Sequence, residues 1–290
     1  MPGIDQQGPS WDEAKTQWGR INACLLKDIP SLNAALWQVI PPSSGLPPFG
    51  ESPYAQFLRY LQALDDVCQQ TLYCLERLPL FVGQEWSSPW ELYVKYYLCD
   101  FLSRVKTSLD LIALALNVLF DLDLDPGDCS LERGKVCGQL RRYAGADDAL
   151  RDLRGQLASR LDRARNAWIK PFYDLRNLAI HRNGVRLGGG RRPETGENYI
   201  FLVAGGLLDV ADEREVIERV VNQLGLLDDP LTSSSAIEPL NMCQQLWVRL
   251  ADLVDSVLDQ SGQQIDRFVS EQRSAREGDE RAADDGETGR

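Results

Sequence analysis

A mostly α architecture, a helical bundle with one small β-hairpin late in the chain, follows from three observations. Apolar residues recur every three or four positions through most of the 290 residues. Ser-Pro and capping-box signals stand at the head of the longest periodic stretches. Only two short runs, 185–187 and 199–204, look like strands, and both follow the last strongly periodic helix.

The elements follow in order. Ser10-x-x-Glu13 is a capping box that opens a helix to about Asp28, with Pro30 as its terminator. A Pro-, Ser- and Gly-rich stretch from Pro41 to Pro53 reads as a loop or linker. Ser52-Pro53 starts a long helix to about Leu78, and Ser88-Pro89-Trp90-Glu91 starts another to Phe120, apolar nearly all round in its second half and so expected at the buried centre. Leu150, Leu153, Leu157, Leu161, Ala164, Trp168, Phe172, Leu175 and Ala179 form one stripe that crosses Pro171, which predicts a long helix kinked at the proline. Asn183-Gly184 ends it, and Gly188-Gly189-Gly190-Arg191-Arg192 reads as the hairpin loop. Helices 209–224 and 235–268 complete the bundle. The polar segment 271–290, with seven acids and four Arg, is expected to be disordered. The expected organisation is an N-terminal helical region (1–85), a helical bundle (86–270) and that acidic tail.

Composition removes several function classes. Hydrophobic residues make 43% and charged residues 26%, the balance of a soluble globular chain. The most apolar run, Leu111 to Phe120, is bounded by Asp110 and Asp121 and holds Asn117, so no membrane span is expected. Met1 to Trp11 has no basic residue and no apolar h-region, so a cytoplasmic location is expected. Seven cysteines without a C-x-x-C pair argue for buried thiols over disulfides or a zinc site. There is one histidine, His181, so zinc sites built on two or three histidines of one chain are excluded. Asp121-x-Asp123-x-Asp125, with Glu132 at position twelve, matches four ligand positions of a calcium loop. Pro126 stands where that loop needs Gly, so a solvated turn is expected and no metal is assigned. The glycine-rich run lacks the G-K-[ST] ending of a phosphate-binding loop, and no cofactor is implied.

Net charge is −12, yet the distribution is uneven. Between Leu131 and Arg192 fifteen Lys or Arg face six acids, a local +9 that leaves −21 elsewhere. Such a segment either attracts phosphates or solvates helix faces. His181 lies inside it. On an ideal helix Lys170, Asp174, Asn177 and His181 form a polar line opposite Trp168, Phe172, Leu175 and Ala179, and Arg176 lies about 140° from His181 around the axis.

The string Arg176-Asn177-Leu178-Ala179-Ile180-His181 resembles the Arg-x4-His motif of the HEPN superfamily (higher eukaryotes and prokaryotes nucleotide-binding), whose residue after Arg is usually Asn, Asp or His. The order of a long apolar helix (93–120) followed by the motif helix (150–182) is similar to that family's bundle. Trp168, Ile169 and Phe172 before the motif, with Arg182 after it, resemble the bacterial Cthe-type branch. The resemblance covers roughly 88–182, extending to 268 with the last helix. HEPN toxins controlled by a partner nucleotidyltransferase carry Tyr two residues after His; Asn183 stands here, so that control is not implied.

The resemblance implies a metal-independent endoribonuclease, in toxins, phage defence or RNA processing, with two motifs combined across a homodimer and RNA as substrate. RNA carries its own nucleophile, the 2′-OH, so proton transfer and phosphate stabilisation suffice. Under this reading His181 is general acid or base, Arg176 stabilises the phosphorane, and Asn177 positions by hydrogen bonding. Lys170, Arg182, Arg186, Arg191 and Arg192 are weaker candidates for the RNA backbone. An antitoxin or other regulatory protein is an implied partner. A non-catalytic HEPN-like module that binds RNA or nucleotide, or only dimerises, would keep the fold without using His181 chemically. A helical adaptor for a protein partner would rest on the acidic surface alone.

Overall fold

The computed structural model describes residues 29–39, 52–79, 88–182, 186–191, 196, 198–203, 211–226 and 236–287. The described residues are mostly helical, with one small antiparallel sheet. The helix expected over 10–28 and the linker after Pro41 lie outside them. Pro30 starts a helix where it was expected to stop one: it heads α1 (Pro30–Val39), in the first turn, where a missing N–H breaks no bond. The two Ser-Pro starts are found where expected, at α2 (Pro53–Arg77) and α3 (Ser88–Leu119). Ser52 caps α2 by accepting the Ala55 N–H at 3.2 Å, and Glu91 pairs with Lys95 at 2.6 Å in the first turns of α3.

After α3 the chain turns through Asp121 and Asp123, both at positive φ (47° and 53°), a region that Asp enters more readily than most residues. Asn117 closes the turn from inside the helix. Its amide nitrogen donates to the Leu124 carbonyl at 3.0 Å, and its oxygen accepts the Leu124 N–H at 3.1 Å. A short 3-10 turn (Pro126–Asp128) and α4 (Lys135–Arg141) follow, with Asp128 paired to Lys135 at 2.6 Å. The backbones of Asp121 and Asp123 thus form a turn; among the described residues no group of three or more His, Cys, Asp or Glu is arranged to hold a metal.

The stripe helix runs without interruption from 148 to 182: α5 (Asp148–Ala164), a π-helical turn (Arg165–Ile169), α6 (Lys170–Asn177) and a second π-helical turn (Leu178–Arg182). Asp147 caps it by accepting the Leu150 N–H at 3.0 Å. The irregularity expected at Pro171 takes the form of the first π turn. Proline has no N–H and its ring presses on the carbonyl four residues back, so widening the turn just before it relieves the clash while the helix continues.

The hairpin is present, with a corrected register. The glycine run read as its loop is instead strand β1 (Leu187–Arg191), paired antiparallel with β2 (Asn198–Val203) as Gly188 to Phe201 and Gly190 to Tyr199. Glycine serves here because the rings of Phe201 and Tyr199 lie over it. A Cβ on Gly188 would come within 2.5 Å of the Phe201 ring, and one on Gly190 within 2.6 Å of the Tyr199 ring. A third short strand, β3 (Ala236–Ile237), pairs with β2.

α7 (Ala211–Leu224) and α8 (Pro239–Glu287) complete the described chain. Glu238 caps α8 by accepting the N–H groups of Leu240 and Asn241 at 3.1 and 2.5 Å. α8 continues to Glu287 through the segment expected to be disordered. Ala, Glu, Gln and Arg there are strong helix formers, and Arg267 pairs with Glu271 four residues on at 2.8 Å, so an established helix continues at little cost.

Packing gathers the described residues into two compact units. One compact unit joins Val67–Ser108 with Arg163–Ala251; the other joins Ile29–Asp66, Leu109–Asp162 and Asp252–Arg290. α2, α3, the stripe helix and α8 each contribute one segment to either unit. The first unit buries Leu98, Phe101, Leu102, Phe172, Val220 and Trp247 and carries the sheet. The second buries Leu32, Phe57, Leu61, Leu116, Leu157 and Val257, with Phe57 edge-on to Phe268 at 5.5 Å. Each such side chain contributes about 1.5–3 kcal/mol by leaving water. Among the described residues no helix is long and apolar enough to cross a membrane.

Removing the Asn117 clamp leaves a backbone donor and acceptor at Leu124 without their partner. Asn117→Ala is expected to lower unfolding free energy by about 1–3 kcal/mol. A urea midpoint equal to the wild-type value at unchanged slope would contradict this account of the turn.

Candidate functional site

The segment bearing the motif is anchored by its apolar side. Trp168, Ile169, Phe172, Tyr173, Leu175 and Ala179 are buried, with Tyr173 edge-on to Phe172 at 5.6 Å and an 87° interplanar angle. The opposite side is open: Lys170 and Asn177 are exposed and Asp174 is half-buried, as the polar line predicts. Arg176 is half-buried in the last turn of α6 and donates from Nη1 to Asn177 Oδ1 at 3.2 Å. This contact orients the amide with its nitrogen as the remaining donor.

Position 181 falls within the second π turn. In a π turn the hydrogen bond reaches from i to i+5, so each residue advances less around the axis than in an α-helix. Positions 176 and 181, five apart, are thereby closer around the helix than the 140° of an ideal α-helix. The side chains of His181 and Arg182 lie outside the described residues. Arg186 is half-buried just before β1, where its carbonyl accepts the Val203 N–H at 3.0 Å. Arg191 pairs with Asn198 at the end of β1, and Arg192 is outside the described residues.

One partner of this surface was not visible in the sequence. Arg219 of α7 donates from Nη1 to Asp174 Oδ2 at 2.8 Å and from Nη2 to Glu215 Oε1 at 2.8 Å. The bridge spans 45 residues, and no local pattern announces it. It neutralises the acid nearest the motif, leaving Lys170 as a cation without an ion pair among the described residues.

Nucleophiles elsewhere are held inactive. Cys74 Sγ donates to Asp100 Oδ2 at 3.1 Å, and Arg104 Nε donates to the same oxygen at 2.9 Å. Burial, and then the hydrogen bond to Asp100, push the Cys74 thiol up to about 12. Burial also raises Cys243 well above the ordinary thiol value, and raises Cys99 and Cys129. Raised values keep these groups protonated at neutral pH, so none is a ready nucleophile. Of the described cysteines, Cys68, Cys74, Cys129, Cys137 and Cys243 are buried and Cys99 is half-buried, in line with the expectation of buried thiols.

Comparison with family models, with curated proteins and with solved structures finds no match to the chain.

Two measurements check this description. Asp174→Asn should cost under about 1 kcal/mol, because both partners of the Arg219 bridge are 42% exposed and screened by water; a larger loss would mean the bridge holds α6 in place. Iodoacetamide at pH 8 should modify Cys99 before Cys74 or Cys243, as read by peptide mass spectrometry. Early labelling of Cys74 would contradict its protonated, buried state.

Proposed function

We propose that the chain is a metal-independent endoribonuclease of HEPN type, cleaving RNA by 2′-OH attack at a composite site formed by two copies, in a toxin, phage-defence or RNA-processing role. The observation that supports this most is the π turn over Leu178–Arg182, which leaves positions 176 and 181 closer around the axis than an ideal α-helix would, next to the Arg176–Asn177 contact. π turns of this kind recur at functional sites.

In this reading the His181 imidazole, whose ordinary pKa lies near neutrality, moves protons between the 2′-OH and the leaving 5′-oxygen. Arg176 holds the phosphate through its planar guanidinium and stabilises the charge that develops on it. Asn177 positions by donating from the amide nitrogen that its contact with Arg176 leaves available. Lys170, Arg182, Arg186, Arg191 and Arg192 contact the RNA backbone. One chain has one histidine, so a homodimer supplies the second imaidazole-bearing motif needed for a concerted acid and base. An antitoxin or other regulatory protein is the partner that a toxin role would require, and cytoplasmic RNA is the substrate pool.

Cleavage should proceed in EDTA and leave a 2′,3′-cyclic phosphate and a 5′-hydroxyl. His181→Ala should slow it by roughly 100-fold or more. Arg176→Lys should also be damaging, since a point charge does not reproduce bidentate contact. Loss of cleavage in EDTA, or His181→Ala cutting at the wild-type rate, overturns the proposal. RNA binding without cleavage by any variant would assign a non-catalytic binding module instead.

A further inference from the structure

The second compact unit holds a cation that its surroundings do not neutralise. Arg154, in α5, is only 7% exposed, and its Nε is sealed from solvent without a hydrogen-bond acceptor. Its guanidinium lies over the ring of Tyr143 at 4.6 Å and of Phe120 at 5.7 Å. No carboxylate among the described residues comes within ion-pair distance of it. Asp121 acts on it only at longer range, and burial pulls its pKa down from the usual arginine value.

The acids of the neighbouring loop are already engaged. Asp147 accepts from Arg267 at 2.9 Å and from the Leu150 N–H at 3.0 Å, and Asp148 pairs with Arg151 at 2.5 Å. Arg151, three residues before Arg154 and so on the same side of α5, also donates to the Gly145 carbonyl at 2.6 Å. Gly145 in turn packs on Tyr143, where an added Cβ would come within 2.9 Å of the ring Cε1. Arg154, Tyr143, Gly145 and Arg151 thus form one connected cluster. Arg142, exposed beside it, has no ion pair among the described residues.

Cation–π contact returns only part of what it costs to bury an unpaired guanidinium, so the cluster lacks an anion. We propose that Arg154, with Tyr143, forms a binding site for a phosphate group. The planar guanidinium offers paired N–H donors to phosphate oxygens and the Tyr143 hydroxyl offers a further donor, while Arg151, one turn away, is held by Asp148 and the Gly145 carbonyl. The shared chemistry is that of inorganic phosphate or the phosphate of a nucleotide. This site is independent of the ribonuclease reading, because it draws on none of the motif residues.

The test uses the full chain, titrated with inorganic phosphate against chloride at matched ionic strength, with thermal unfolding and calorimetry as readouts. Phosphate should raise the melting temperature of the wild type, whereas chloride should not. Arg154→Met, which keeps an apolar stem against the two rings, should weaken phosphate binding at least ten-fold. Tyr143→Phe, which removes only the hydroxyl, should weaken it several-fold and serves if Arg154→Met does not fold. The shift should survive in Arg176→Ala; its loss there would move phosphate to the motif and overturn the proposal. No phosphate-specific shift in the wild type, or undiminished binding in both Arg154→Met and Tyr143→Phe, also overturns it. A nucleoside 5′-monophosphate binding ten-fold more tightly than inorganic phosphate identifies a nucleotide as the ligand, and equal affinity identifies free phosphate.

Discussion

A proline in the middle of a helix that does not end is the constraint on which the candidate site depends. Pro171 is buried, flanked by the buried Ile169 and Phe172, so the chain on either side is committed to the same core. Stopping the helix there would expose that apolar surface; continuing it in ideal α form would press the pyrrolidine ring on a carbonyl. The π turn over Arg165–Ile169 resolves the conflict by letting the backbone widen locally. A second π turn follows over Leu178–Arg182, where the motif ends. Apolar packing of Phe172, Leu175 and Ala179 holds the segment between them, so the polar side can carry Lys170, Asp174 and Asn177 without stabilising the fold itself.

The basic segment Leu131–Arg192 is likewise more structured than its composition suggests. Several of its cations close local ion pairs: Lys135 with Asp128 at 2.6 Å, Arg141 with Asp162 at 2.5 Å, and Arg151 with Asp148 at 2.5 Å. These lie at least partly in water and contribute little to stability. What they change is the field. Cations that keep no ion pair among the described residues, Arg142, Arg154, Arg160, Arg163, Lys170 and Arg186 among them, are where an anion would be attracted, and they fall at separate places along the chain. A run counted as +9 in the sequence is thus a few localised sites, one of them almost fully buried.

Backbone chemistry settles the hairpin in a way that residue preference does not. Glycine is a poor strand former, which is why Gly188–Gly190 reads as a turn. In the folded chain Gly188 and Gly190 lie under aromatic rings of the neighbouring strand, and the rings cover the surface that the missing side chains leave bare. The pairing register, with Gly188 opposite Phe201 and Gly190 opposite Tyr199, is set by these ring contacts and not by the preference of the glycines themselves.

The sequence by itself determined the helical class, the starts of α2 and α3, the continuous stripe from 150 to 179, and the polar line of Lys170, Asp174 and Asn177. Each of these is set by short-range physics: a Ser hydroxyl facing a free N–H, a proline where no N–H is needed, or apolar residues every three or four positions. The burial of Arg154 is not read there; it counts only as one charge of the basic segment, although it is 7% exposed in the fold. Tertiary structure alone decided the rest. It set Pro30 as a start, glycines as a strand, the Arg219 to Asp174 bridge, the two π turns and the units that draw on four shared helices. In each, the choice between i+4 and i+5 bonds, or between one partner and another, depends on what packs against the segment from far along the chain.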